Sequence, residues 1–148
     1  MNSRFAVAAH ILTLLYESDG EPVASDRIAG SVNTNPVVIR RLLSALNRAG
    51  LTTGRLGAGG GATLARPGAA ITLLDVHRAV GDGDLFGKHP QGPNPACLVG
   101  RHIQATLDAA TAAAARALEG ELARYTIAGI VDDVHRRERR RSRRAASA

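Results

Sequence analysis

Reactive side chains are scarce in this sequence of 148 residues, which holds one cysteine, Cys97, and five histidines. Cys97 admits three readings. Free cysteines are commonly buried and inert, which makes it a structural thiol. A place near the start of a helix, beside Arg101 and a loop, favours the thiolate and makes it a redox sensor candidate. The third reading is one ligand of a metal site with His89 and His102, although no short-range ligand pair anchors an ion there. The histidines show no paired spacing and no Ser, His and Asp grouping can be assembled, so no enzyme is expected. Gly57 to Ala62 formally satisfies G-x-G-x-x-A, which cradles phosphate when an apolar strand precedes it and a helix opens at its third glycine. Here Thr52, Thr53, Gly54 and Arg55 stand before it and Arg66-Pro67-Gly68 after it, the surroundings of a hairpin tip.

Arginine is the abundant charged group, eighteen residues against the single Lys88. Residues 1–66 carry seven Arg against four acids, residues 67–134 carry four Arg and Lys88 against eight acids, and the last fourteen carry seven Arg against Glu138. The body is therefore polarised, with a basic front and an acidic back, and the net charge of +6 resides in the tail. Within the basic front, Ile39, Leu42, Leu43 and Leu46 fall together at helical spacing. Val37, Arg41, Ser44 and Arg48 line the opposite side with Arg40 beside them. Such a face is either the solvated flank of an amphipathic helix or a surface that meets phosphates and base edges.

The elements that must position these residues follow from composition and periodicity. The length fits one ordinary domain, or a small one with an appendage. With 45% apolar but only 3% aromatic residues the core must be built of Ala, Leu, Val and Ile, which suits packed helices. A first helix is expected from Phe5 to Tyr16, too short to cross a bilayer. Ser25 reads as the N-cap of a short helix from Asp26 to Val32, and Asn33-Thr34-Asn35 breaks the chain. Asn35 then caps a third helix, from Pro36 to Ala49, because Pro at the first helical position lacks only an N–H that would be unpaired anyway. Leu51 to Leu56 and Ala62 to Ala65 read as a hairpin around a glycine tip. Two short helices joined by a tight turn and followed by a hairpin form a winged helix-turn-helix.

Thr72 and Asp75 form a capping box for a fourth helix, Leu73 to Val80. Gly81 to Ala96 then holds four Gly and three Pro, a loop long enough to be functional or mobile. From Leu98 to Tyr125 apolar residues step by three and four, a helix on the order of 40 Å long. That exceeds what the small domain can cover, so the helix is expected to meet its own copy in a two-fold dimer, with packing on its own domain alone as the competing reading. A short helix from Ile127 to Val134 behind Thr126 precedes the arginine run. That run has no apolar stripe and reads as a disordered electrostatic arm over 135–148.

These residues resemble the Rrf2 family of bacterial transcription regulators. The resemblance is carried by Ile28-Ala29, Asn35-Pro36-Val37-Val38-Ile39-Arg40-Arg41-Leu42-Leu43, Ala49-Gly50-Leu51, Gly57-Ala58-Gly59-Gly60-Gly61-Ala62-Thr63-Leu64-Ala65 and Ile71-Thr72-Leu73-Leu74-Asp75-Val76. It covers about residues 1–134, and the glycine-rich wing after the third helix is its most specific part. The resemblance implies dimers on palindromic operators, with the third helix in the major groove, the wing at the minor groove and a long dimerisation helix. Carried over, Thr34, Asn35, Val37, Val38, Arg40, Arg41 and Ser44 fall on the recognition segment. Many relatives place a basic residue just before the first wing glycine, where this chain has Leu56, with Arg55 one step earlier. Cluster-binding relatives hold three cysteines in the loop before the long helix. This chain has Cys97 alone, at the place of the last, so it looks like the cluster-free branch.

The expectations are as follows. The fold is mainly α, a winged helix-turn-helix over 1–68, then a helix, loop and long dimerisation helix over 69–134, then a disordered tail over 135–148. The function is that of a homodimeric, sequence-specific regulator of double-stranded DNA, a repressor in the cytoplasm with no membrane partner. A winged-helix interaction protein without sequence reading is the alternative. The DNA-binding residues are Ser25, Thr34, Asn35, Val37, Val38, Arg40, Arg41, Ser44, Arg48, Arg55, Gly57, Gly59 and Gly60. Cys97 is the sensor candidate for a redox or small-molecule effector, and no metal or iron–sulfur cofactor is expected.

Overall fold

The computed structural model describes residues 3–147 apart from Asp82, Asp84 and Leu85. Along the chain come α1 (Arg4–Glu17), α2 (Ser25–Val32), α3 (Pro36–Arg48), β1 (Thr52–Arg55), β2 (Gly61–Leu64), a single 3-10 turn (Gly68–Ala70), α4 (Leu73–Val80), α5 (Leu98–Leu122) and α6 (Ile127–Ala146). The fold is mainly helical with one two-stranded wing and a long C-terminal helix. None of the described helices is long and apolar enough to cross a membrane.

The core is aliphatic. Ala8, Ile11, Leu12 and Leu15 put one face of α1 at the centre, where it meets Ile28 of α2, Ile39, Leu42 and Leu46 of α3, Val76 and Val80 of α4 and Ile127 of α6. Branched and γ-branched side chains at three- and four-residue spacing bury their stripe without needing aromatic bulk, which explains a sequence so poor in rings. Strands β1 and β2 are antiparallel, with Thr52 opposite Leu64 and Arg55 opposite Gly61. Val23 adds a third, one-residue rung, exchanging backbone hydrogen bonds of 3.0 and 2.9 Å with Ala62. At Gly61 a β-carbon would lie 2.5 Å from the Val23 carbonyl, so only glycine lets the two backbones close.

The expected capping box is present: Thr72 Oγ1 accepts from the Asp75 N–H at 3.2 Å, and the Thr72 N–H donates to Asp75 Oδ2 at 2.8 Å. Two expectations need correction. Ser25 is the first residue of α2, Ala24 is the N-cap, and the Ser25 side chain makes no capping hydrogen bond. The chain from 135 to 146, expected to be disordered, instead continues α6 as a helix to Ala146. Arg and Ala are among the better helix formers, Asp133 accepts from arginines three and four residues on, and Glu138 forms an ion pair with Arg141, which supports a helix that no apolar stripe announces.

Helix α5 contributes no buried residue. Its main neighbour in the protomer is α4, and Arg78 fastens the two by a 2.8 Å ion pair with Glu119. Leu98, Val99 and Leu107 are exposed along it. A second apolar surface without cover lies between α1 and α6, a groove of about 460 Å³ lined by Ala9, Leu14, Ile130 and Val134 among others.

Candidate nucleic-acid interface

Helix α2 ends at Asn33, whose backbone is left-handed at φ 58° and ψ 54°, a conformation that asparagine tolerates better than most residues. The Thr34 N–H closes the turn on the Ala29 carbonyl at 3.0 Å, and the Asn35 side chain accepts from the Val37 N–H at 2.8 Å. This turn aims α3. With Ile39, Leu42, Ala45 and Leu46 inward, Val37, Val38, Arg40, Arg41, Ser44 and Arg48 are exposed on its outer side. Val37 is 46% and Val38 39% exposed, apolar groups held in water by a helix whose other face is saturated.

The arginines are not equivalent. Arg40 stands 3.6 Å from Asp26 of α2 with both side chains well exposed, an ion pair weak enough to exchange for a phosphate. Arg48 donates to Ser44 Oγ at 2.8 Å, which holds both side chains over the last turn of α3. Arg41, Arg48 and Arg55 have no acidic partner among the described residues.

A cleft of about 380 Å³ lies between α3 and the wing. Ser25, Arg40, Ser44, Arg48 and Arg55 all line it, so residues from α2, α3 and β1 that were singled out separately share one concave surface. Asn47 and Thr53 line it too and were missed. The signal for Asn47 was present, because at 100° per residue position 47 falls within about 20° of Arg40 on the helix face. Thr34, Asn35, Val37, Val38 and Arg41 lie outside the cleft, on the turn and on the outer face of α3.

The wing tip turns through left-handed glycines, Gly57 at φ 94° and Gly59 at φ 72°, and the Gly60 N–H donates to the Gly57 carbonyl at 3.0 Å. Leu56 at its base is 98% exposed. A strand leads into these glycines and a strand leaves them, so the loop opens no helix and is not a dinucleotide fingerprint.

Cys97 is the N-cap of α5 and is exposed in the protomer, which removes the buried structural reading there. His89 is engaged through Nδ1 with the Gln91 carbonyl.

A helix-turn-helix with an arginine-bearing second helix, completed by a glycine-turned wing, defines a class of DNA-binding modules. The chain belongs to the Rrf2 family, whose model, described as iron-dependent transcriptional regulator, matches residues 1–133. It is 46% identical to YwnA of Bacillus subtilis, a protein that bears the name HTH-type transcriptional regulator, over 133 residues that make up 89% of this chain and 97% of that protein. A solved structure of a protein described as DNA-binding is 43% identical with a TM-score of 0.70, covering 86% of this chain and 98% of that one. A structure from Lactobacillus plantarum, named as a transcriptional regulator, is 26% identical with a TM-score of 0.75 over the full length of both chains.

The family's description names iron. A cluster needs several thiolates and the chain has one cysteine. Among the described residues no group of three or more His, Cys, Asp or Glu stands close enough to hold a metal ion. The donors among the described residues do not fit an iron–sulfur cluster.

Proposed function

We propose that the protein is a sequence-specific repressor that binds a palindromic operator in double-stranded DNA as a homodimer in the bacterial cytosol, in the cluster-free branch of its family. The observation that carries this reading is the exposed face of α3, where Val37, Arg41 and Ser44 present one apolar, one cationic and one hydroxyl group to a groove. Arginine recognises guanine bidentately, a small apolar group suits the thymine methyl, and serine serves either base. Arg40, Arg48 and Arg55 would take phosphates, with Ser25, Thr34, Asn35 and Val38 at the edges of the footprint. Gly57, Gly59 and Gly60 let the wing backbone approach the minor groove. An interaction module that had given up DNA would have no use for this exposed arginine face.

The dimer reading rests on α5. A helix of 25 residues without one buried side chain, carrying exposed Leu98, Val99 and Leu107, needs cover that the protomer does not supply. Cys97 and the loop from Gly81 to Ala96 join the DNA-binding half to that helix. A thiol change or a small ligand there would alter the spacing of the two recognition helices without touching DNA.

Fluorescence anisotropy against a selected palindrome and a scrambled duplex tests the reading. Arg41→Ala is expected to lose about 1–3 kcal/mol on the palindrome and little on scrambled DNA. Equal affinity of the unaltered chain for both duplexes would leave the interaction-module reading in its place.

A further inference from the structure

The family match stops at residue 133, and YwnA aligns over 133 residues, yet α6 continues to Ala146. Its first two turns belong to the body: Ile127 and Val131 are buried, and α6 lies along α1 as far as His135, whose Nε2 is 3.0 Å from Glu17 Oε1. Helix α1 ends there. Beyond His135 about 17 Å of helix stands clear of it. The chain leaving α1 turns through Ser18 to Glu21 into Val23, the residue bonded to the wing at Ala62, so the free end of α6 departs past the end of α1 that leads into the wing.

The free segment holds Arg136, Arg137, Arg139, Arg140, Arg141, Arg143 and Arg144, all exposed. At 100° per residue all seven fall on one arc of roughly 200°, while Glu138, Ser142 and Ala145 continue the line of buried Ile127 and Val131. The charge is therefore sorted to one side. Asp133 takes Arg136 and Arg137, and Glu138 lies 3.7 Å from Arg141. Arg139, Arg140, Arg143 and Arg144 have no acidic partner among the described residues. Like charges three and four apart repel along a helix, so the segment gains when a polyanion lies against it.

We propose that residues 136–146 form a second, sequence-independent DNA site, a helical rail that lays its arginine arc on the phosphates of duplex DNA. Guanidinium forks match phosphate oxygens bidentately, and a regular row of them fits a regular row of phosphates better than a mixed lipid surface. The rail would add affinity for any sequence and leave base selection to α3. The proposal rests on the DNA-binding reading above for its partner, but not on operator specificity.

The test compares three chains by anisotropy against a selected palindrome and a scrambled duplex over a salt series. They are the full chain, a chain ending at His135, and the full chain with Arg139, Arg140, Arg143 and Arg144 each replaced by Gln, which keeps a helix former at each site. Expected is a loss of about tenfold or more at low salt, equal on both duplexes, with the slope of log affinity against log salt reduced by about 3 to 4, near 0.9 per lost phosphate contact. Unchanged slopes would overturn the proposal, as would a loss confined to the palindrome. So would a tail-dependent binding to phosphatidylglycerol vesicles that exceeds binding to duplex at equal charge. A full chain that selects no sequence but shows the tail-dependent slope would refute the operator reading and leave the rail standing. Sequence selection with an unchanged slope would do the reverse.

Discussion

Residue chemistry at the wing turns on backbone clearance. At Gly60 a β-carbon would lie 2.3 Å from the Arg55 carbonyl oxygen and 2.8 Å from that of Gly57, and neither backbone atom can yield without opening the turn. Gly60→Ala is expected to cost about 1–3 kcal/mol in urea unfolding and to weaken DNA binding with it. Asp133 offers a pH-dependent counterpart. Hydrogen bonds from Arg137 and then Arg136 hold its carboxyl below the ordinary 3.8, so its contribution to α6 is complete above that value and is lost as pH falls through the lowered one. Circular dichroism should show helix content steady from neutrality to about pH 4 and declining below, with Asp133→Asn removing that step. For Cys97, exposed at the head of α5, wild type is expected to lose operator affinity after mild peroxide and Cys97→Ser to keep it. The exposed face of α3 was legible because a single signal, the period of the helix behind the Asn35 cap, sorts Arg41 and Ser44 outward and Leu42 and Leu46 inward. Asn47 carries the same signal.

Element boundaries show where local patterns suffice. Helix α4 was read from Leu73 to Val80 and forms over those residues, because its capping box is a local device. The Val23 rung was not legible. One residue has no periodicity, and its pairing with Ala62 depends on a close approach that only the folded chain displays. The arginine run misled for a related reason. A helix that continues another inherits its nucleation, so the extension of α6 did not need the apolar stripe whose absence suggested disorder. Helix α5 gives the prediction at this scale. Leu107→Arg places a charge on the exposed apolar stripe and is expected to shift the particle from about twice the 15.4 kDa chain mass to one chain by light scattering, with thermal stability falling as the partner is lost. Unchanged mass would move the dimer contact elsewhere, with the groove between α1 and α6 the next surface to alter.

The whole molecule is an arginine-bearing winged helix-turn-helix on an aliphatic core, a long uncovered helix, and an arginine-faced overhang. Symmetry links them: a two-fold axis through paired α5 helices would set two α3 helices at a fixed separation, and DNA bound by such a pair must repeat its sequence in inverted order at that spacing. Selection of bound genomic fragments by the full chain, followed by footprinting of the enriched site, measures this directly. The account predicts an inverted repeat with half-site centres about 34–36 Å apart, or a multiple of that, and protection of both halves. Enrichment of no sequence, or of a single unrepeated site protected by one chain, would contradict it.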